Sequence, residues 1–267
     1  MPFNRCRVIV ADPVLRVPTT RRHRLTTWLK RQVFRRVDVF ILYQKDFADY
    51  MRWYGIDASR AVSIPFKVNS LDLITRLAPV DGDYALATDV SLRDWTTLAA
   101  AIRGLDIRLA ISVPASAADG EMPRPSDFGS QVTLLKDDGP VSAWLQRMAQ
   151  AKFVILPISS DSIAPSGIST YLCAMALRKC VILTAGPSTH GLLNETMSVL
   201  VPTADLRALR EAIERVNSDA AFRRDVADAG FRYAMSCGDE RRLYSDFVTI
   251  ILAVADPSRS GWRPPHA

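Results

Sequence analysis

The segment 152–187, KFVILPISSDSIAPSGISTYLCAMALRKCVILTAGP, constrains the fold of this chain more than any other. An apolar run ending in Pro157 reads as a buried strand. A loop rich in Ser, Asp, Pro and Gly follows, then a helix over 169–177 and a second apolar run over 181–184. The result is a strand–loop–helix–strand unit, the building block of a parallel sheet.

The loop of that unit carries the first functional expectation. Ser166 and Gly167 let the backbone pass close to a ligand, and the first N–H groups of the next helix have no acceptor within it. Those donors and the helix dipole both favour a phosphate or carboxylate. Ser169 or Thr170 is placed to supply the N-cap hydroxyl. Plain turn chemistry accounts for the same residues, so the loop alone does not decide between the two.

The rest of the chain repeats the alternation. Strands are predicted near 84–88, 108–113, 132–135, 153–157, 181–184 and 199–201, and helices near 93–102, 142–150, 169–177, 204–216, 220–235 and 241–254. Such spacing argues for a doubly wound α/β layer, whose ligands sit at the carboxyl ends of its strands. The loops after Ala87 and Pro157 then face one crevice. Before this layer, 8–10 and 37–42 read as strands, 22–36 and 47–54 as helices, and 64–66 as a crossing into the second unit.

With 267 residues, 48% of them hydrophobic, the chain can bury a sizeable core in one or two domains. It has no apolar run of membrane-spanning length and no secretory leader, which makes a cytoplasmic protein the expectation. Cys6, Cys173, Cys180 and Cys237 lack the spacing of a zinc site and read as reduced thiols, so no metal is expected. Asp161 reads as a turn former, His190 as a solvated loop residue able to reach the crevice, and His266 as part of a disordered tail.

Residues 1–36 hold ten Lys and Arg and one acid, Asp12, more positive charge than the +6 of the whole chain. Leu25, Trp28, Leu29 and Val33 or Phe34 recur at helical spacing among those cations. That composition suits a helix lying on an anionic membrane surface; it equally suits a solvated basic face over an ordinary core stripe. Nucleic acid is not expected, because no recognition motif or aromatic platform accompanies the charge.

Several motifs, in order, resemble the donor-site region of GT-B glycosyltransferases of the family 4 (group 1) type. They are AKFVILP at 151–157, Gly167 to Ala176 with its terminal Ala174-Met175-Ala176, Val181-Ile182, and Leu200-Val201-Pro202 with Asp205, Leu209, Ala212 and Ile213. Upstream, Tyr84 to Ala87 and Arg93-Asp94-Trp95 to Ile102 fit the same pattern, and Asp219, Arg223, Ala229 and Gly230 continue it. The resemblance implies a Rossmann-like doubly wound donor domain over 76–256, a remnant of a second Rossmann-like acceptor domain with its crossing over 1–75, and a disordered tail over 257–267. It implies transfer of a sugar from a nucleoside-diphosphate sugar to a glycan or lipid-linked acceptor, without a cofactor, in a protein able to touch the inner face of a membrane through 22–36. Arg93, Ser166, Gly167, Ser169, Thr170 and Cys173 are the implied donor-binding residues. Arg93 would hold the diphosphate, and a phosphate partner would explain a cation in a first helical turn. No catalytic residue is assigned.

The chain departs from that pattern at telling places. Cys173 stands where a glutamate would accept the ribose hydroxyls, and Pro165 where a second glutamate is expected. Arg178 and Cys180 replace a glycine and a proline, and Asp89-Val90 replace a Gly-Arg pair. Two readings follow: a glycosyltransferase, retaining if the likeness extends to its course, or a non-catalytic remnant that needs another chain to complete the cleft.

Overall fold

Successive side chains of the apolar runs enter different cores, as the period of two in an extended chain requires. The computed structural model describes residues 6–116, 125–129 and 132–255. The predicted tail over 257–267, with His266, lies outside the described residues. The chain opens with β1 (Ile9–Ala11), α1 (Arg21–Phe34), β2 (Val39–Leu42), α2 (Ala48–Tyr54) and β3 (Ala61–Ser63). The three strands form a parallel sheet in the order β1-β2-β3, with Ile9 opposite Val39 and Ile41 opposite Val62. Val39 and Ile41 enter one core, Phe40 and Leu42 another that they share with Leu15, Tyr50 and Tyr54. Strand β3 is an addition to the sequence reading. Its three residues are too few to display an alternation.

After α3 (Leu71–Ile74) come β4 (Tyr84–Thr88), α4 (Trp95–Ile102), β5 (Arg108–Pro114), β6 (Val132–Asp137), α5 (Val141–Gln150), β7 (Phe153–Leu156), α6 (Ile168–Ala176), β8 (Val181–Thr184) and β9 (Val199–Val201). Helices α7 (Leu206–Ser218), α8 (Ala220–Cys237) and α9 (Glu240–Ala255) complete the described chain. The six strands pair in parallel in the order β6-β5-β4-β7-β8-β9, so the direction of winding reverses between β4 and β7. Leu86, Val154, Leu156, Val181 and Leu183 face one core, while Ala85, Ala87, Phe153, Ile155 and Ile182 face the other. Burial on both faces explains why these strands read as continuous apolar runs. Each fully buried large side chain contributes about 1.5–3 kcal/mol relative to exposure.

The two sheets are joined twice. The Val68 N–H donates to Gly238 O at 2.9 Å, and Lys67 Nζ donates to Glu240 Oε1 at 2.7 Å, so the outgoing crossing is clamped to the start of α9. Leu243, Ile250 and Val254 of α9 then share the core of Val39, Ile41 and Val62. At the carboxyl ends of the strands, Gln44 Nε2 donates to Ile163 O at 3.4 Å, and His190 Nδ1 lies 3.0 Å from Asp46 Oδ2. Loops following β2, β7 and β8 therefore meet across the two sheets. No helix of the described residues is long and apolar enough to cross a membrane.

Candidate functional site

The reversal point of the large sheet is where the loops after β4 and β7 must diverge, and there they are tied together. The Asp94 N–H donates to Pro157 O at 2.7 Å and the Ser159 N–H to Leu92 O at 2.8 Å. Asp89 and Leu92 hold left-handed backbone, with φ of 71° and 55°. The Asp89 carboxylate supports its own turn by accepting from the Val90 N–H at 2.7 Å.

Arg93 fills the space between the two loops, and its side chain is wholly buried. Its Nε donates to Thr88 O at 3.3 Å, its Nη1 to Ser91 O at 2.8 Å and Ser166 Oγ at 3.2 Å, and its Nη2 to Asp89 Oδ2 at 3.0 Å. Burial lowers the guanidinium pKa and the Asp89 charge opposes that shift. The prediction that Arg93 begins a helix is corrected: α4 starts at Trp95, with Asp94 as its N-cap accepting from the Thr97 N–H at 2.9 Å. A side-chain cap at Asp94 outcompeted the earlier start. Arg93 thus stands ahead of the helix, and protein groups balance its charge.

Helix α6 also begins differently from expectation. Gly167, not Ser169 or Thr170, is the N-cap, in left-handed backbone with φ 84°, and no side chain caps the helix. The N–H groups of its first turn are left without an intrahelical acceptor. A Cβ at Gly167 would meet Ile158 Cδ1 at 3.2 Å and Arg93 Nη2 at 3.6 Å, so a side chain there would crowd the loop junction.

Beside this junction a cavity of about 310 Å³ opens at the carboxyl ends of β4, β5 and β6. Thr88, Asp89, Ser112, Asp137, Trp144 and the α6 residues Ser169 and Thr170 are among its lining. Its polar wall is tightly bonded. Trp144 Nε1 donates to Thr88 Oγ1 at 2.8 Å, which donates to Ser112 O at 3.0 Å. The Ser112 hydroxyl donates to Asp137 Oδ2 at 2.8 Å, and Arg147 Nη1 lies 2.5 Å from Asp137 Oδ1, a contact of charge rather than an aligned hydrogen bond. Both carboxylates in the wall, Asp89 and Asp137, are therefore paired with arginines.

Of the residues singled out in the sequence, Ser169 and Thr170 line the cavity, while Arg93, Ser166 and Gly167 form the junction beside it. Cys173 is buried one turn further along α6, where its Sγ donates to Asn69 O at 3.6 Å. Burial pushes its thiol up to about 12, so it is a neutral donor to the crossing segment. Asp161 lies in an exposed turn, its N–H donating to Ser159 Oγ at 3.4 Å. The wall residues Thr88, Ser112, Asp137 and Trp144 went unnoticed in the sequence. The carboxyl ends of β4, β5 and β6, taken together, would have named the first three.

Two parallel sheets with facing carboxyl-end loops, the larger one wound in Rossmann order around such a cavity, define the GT-B architecture of glycosyltransferases. The chain has that fold. Solved structures agree: sucrose-phosphate synthase from Thermosynechococcus elongatus aligns with TM-score 0.68 at 20% identity, over 86% of this chain and 62% of its own. A glycosyltransferase from Rickettsia africae aligns with TM-score 0.71 at 14% identity, over 94% and 71%. HepE from Anabaena in complex with UDP-glucose aligns with TM-score 0.74 at 13% identity, over 93% and 73%. The chain thus spans 62% of the synthase's length. No protein-family model and no curated protein sequence matches it.

Proposed function

We propose that the chain binds a nucleoside-diphosphate sugar in the cavity beside α6 and transfers the sugar to a glycan or lipid-linked acceptor. The observation that carries this reading is the open first turn of α6 at the cavity, with Ser169 and Thr170 in its wall, at the reversal point of the sheet. In HepE the same fold is solved with UDP-glucose.

Glycosyl transfer leaves positive charge on the sugar and negative charge on the departing diphosphate, so fixed donors around that diphosphate stabilise the transition state. In this reading the α6 N–H groups and the Ser169 and Thr170 hydroxyls supply them. Ser166, Gly167 and Arg93 hold the loop that presents those donors, and Arg93 offsets the charge of the Asp89 carboxylate in the cavity wall. Cys173 sits where the resemblance implies a ribose acceptor, and its neutral thiol leaves ribose recognition to the remaining cavity wall. The setting is cytoplasmic, at the inner face of a membrane touched by residues 22–36.

The test is release of nucleoside diphosphate from UDP-, GDP- and ADP-sugars in the presence of glycan or lipid-linked acceptors. Release that requires an acceptor supports transfer. Saturable nucleotide binding with no release from any pair contradicts self-contained catalysis and favours the reading in which a partner chain completes the cleft.

A further inference from the structure

A periodic apolar stripe in a sequence does not say whether it faces inward, and in α1 it faces out. The helix buries Thr27, leans Phe34 against the Phe40 ring at 5.3 Å between centroids, and stacks the Arg31 side chain over Gly55. At 100° per residue these three positions share one side. Leu25, Leu29 and Val33 fall on the opposite side with Trp28 at its margin, and they are 60%, 51%, 64% and 56% exposed. The core-stripe reading of these residues is therefore corrected: the core of α1 rests on Thr27 and Phe34.

The charge around this stripe is of one sign. Arg21, Arg22, Arg24, Lys30, Arg35 and Arg36 surround it, and no Asp or Glu occurs between Asp12 and Asp38. Among the described residues the stripe has no partner, and its composition argues against a second copy of this chain as one. A second copy of this face would bring no carboxylate to meet these cations. Nucleic acid would leave the four apolar side chains in water. A bilayer surface satisfies both parts at once. Large apolar groups enter the acyl boundary, an indole settles at the interface, and arginine and lysine stems reach back to anionic headgroups.

We propose that the outward face of α1, Leu25, Trp28, Leu29 and Val33 within its ring of arginines, is the surface on which this protein docks onto an anionic membrane. The inference rests on the proposed membrane contact of residues 22–36 and deepens it by assigning the face of α1 that makes it; it stands independently of donor binding.

The test is co-sedimentation of the full chain with vesicles of phosphatidylcholine alone and of phosphatidylcholine with roughly one-third phosphatidylglycerol. The wild type binds the anionic vesicles, leaves them at high salt, and binds the neutral ones weakly. Trp28→Ser/Leu29→Ser lowers partitioning about tenfold or more, since two interfacial apolar groups are lost. Arg21→Glu/Arg24→Glu removes the preference for anionic lipid. All four positions are exposed, so thermal unfolding of both variants stays at the wild-type temperature. Absence of binding to anionic vesicles, equal binding to both vesicle types, or unchanged binding by the serine variant overturns the proposal. A wild-type dimer that the serine variant dissolves also overturns it, because a second copy would then cover the face.

Discussion

Arg93 and Ser166 stand 73 positions apart, and Nη1 of the first donates to Oγ of the second at 3.2 Å. The Ser166 hydroxyl donates onward to Ser91 O at 3.0 Å, so one buried cation fastens the loops after β4 and β7 beside the cavity. These side-chain bonds add to the two backbone bonds that already tie the loops.

Replacing Arg93 with alanine removes the ionic partner of the Asp89 carboxylate and one donor each from the Thr88 and Ser91 carbonyls. Asp89 is half-buried, so removing its wholly buried partner costs about 2 kcal/mol or more. Ser166→Ala loses the two contacts of a half-buried hydroxyl, from Arg93 and to Ser91 O, and costs about 1 kcal/mol. Urea unfolding of the two variants separates these outcomes. Equal stabilities would show that the guanidinium does not organise the junction.

Gly167→Ala imposes a left-handed conformation on a residue with a Cβ, at a cost of about 1 kcal/mol. The new methyl group also presses on Ile158 and the Arg93 guanidinium. The variant is expected to fold with slightly reduced stability and to bind nucleotide more weakly, because the start of α6 shifts. Calorimetric binding curves read the effect, and an unchanged dissociation constant would separate the turn from the site.

The reach of the sequence was uneven for physical reasons. Val154 to Leu156 and Val181 to Leu183 announced themselves because both faces of those strands are buried and no polar residue interrupts the run. The start of α6 was misplaced because Ser169 and Thr170 are good caps by type, whereas the turn needed a left-handed residue and took Gly167. The cavity wall was hidden for a different reason. Thr88, Ser112, Asp137 and Trp144 come from four elements, and only the strand order brings them together. Periodicity marked the stripe on α1 without giving its direction, which depends on what Thr27 and Phe34 pack against.

Thiol chemistry provides a simple check on burial. Cys173 and Cys180 are buried with thiols pushed up to about 12, and Cys237 is buried with its thiol also raised, whereas Cys6 is exposed. A thiol reagent at mildly alkaline pH should modify Cys6 rapidly in the folded protein and all four cysteines only after denaturation. Fast native reaction at Cys173 would place that side chain in solvent instead of against Asn69.

Lys179 makes stability depend on pH in an unusual direction. It is buried, its Nζ donates to Val80 O at 2.7 Å, and burial lowers its pKa from 10.5 to about 8. Between those values the unfolded chain binds more protons at this site than the folded one, so stability rises with pH across that window. Below about pH 8 the penalty of charging the buried amine is present in full. The raised thiols act in the opposite sense over the same range, so Lys179 is read as a difference: the wild-type urea midpoint relative to that of Lys179→Met should climb between about pH 8 and pH 9.5. A difference that stays flat or falls over this interval would contradict the burial of the amine.

The central claim is that the cavity beside α6 holds the donor nucleotide, and calorimetric titration addresses it most directly. The purified chain is titrated with UDP, GDP, ADP and their sugar conjugates, and so is Ser169→Trp, whose indole would fill the mouth of the cavity. Saturable binding of one nucleotide, lost or weakened at least tenfold in Ser169→Trp, is the predicted result. Binding of none of them by the wild type, or binding that Ser169→Trp leaves untouched, would contradict a donor site at this place.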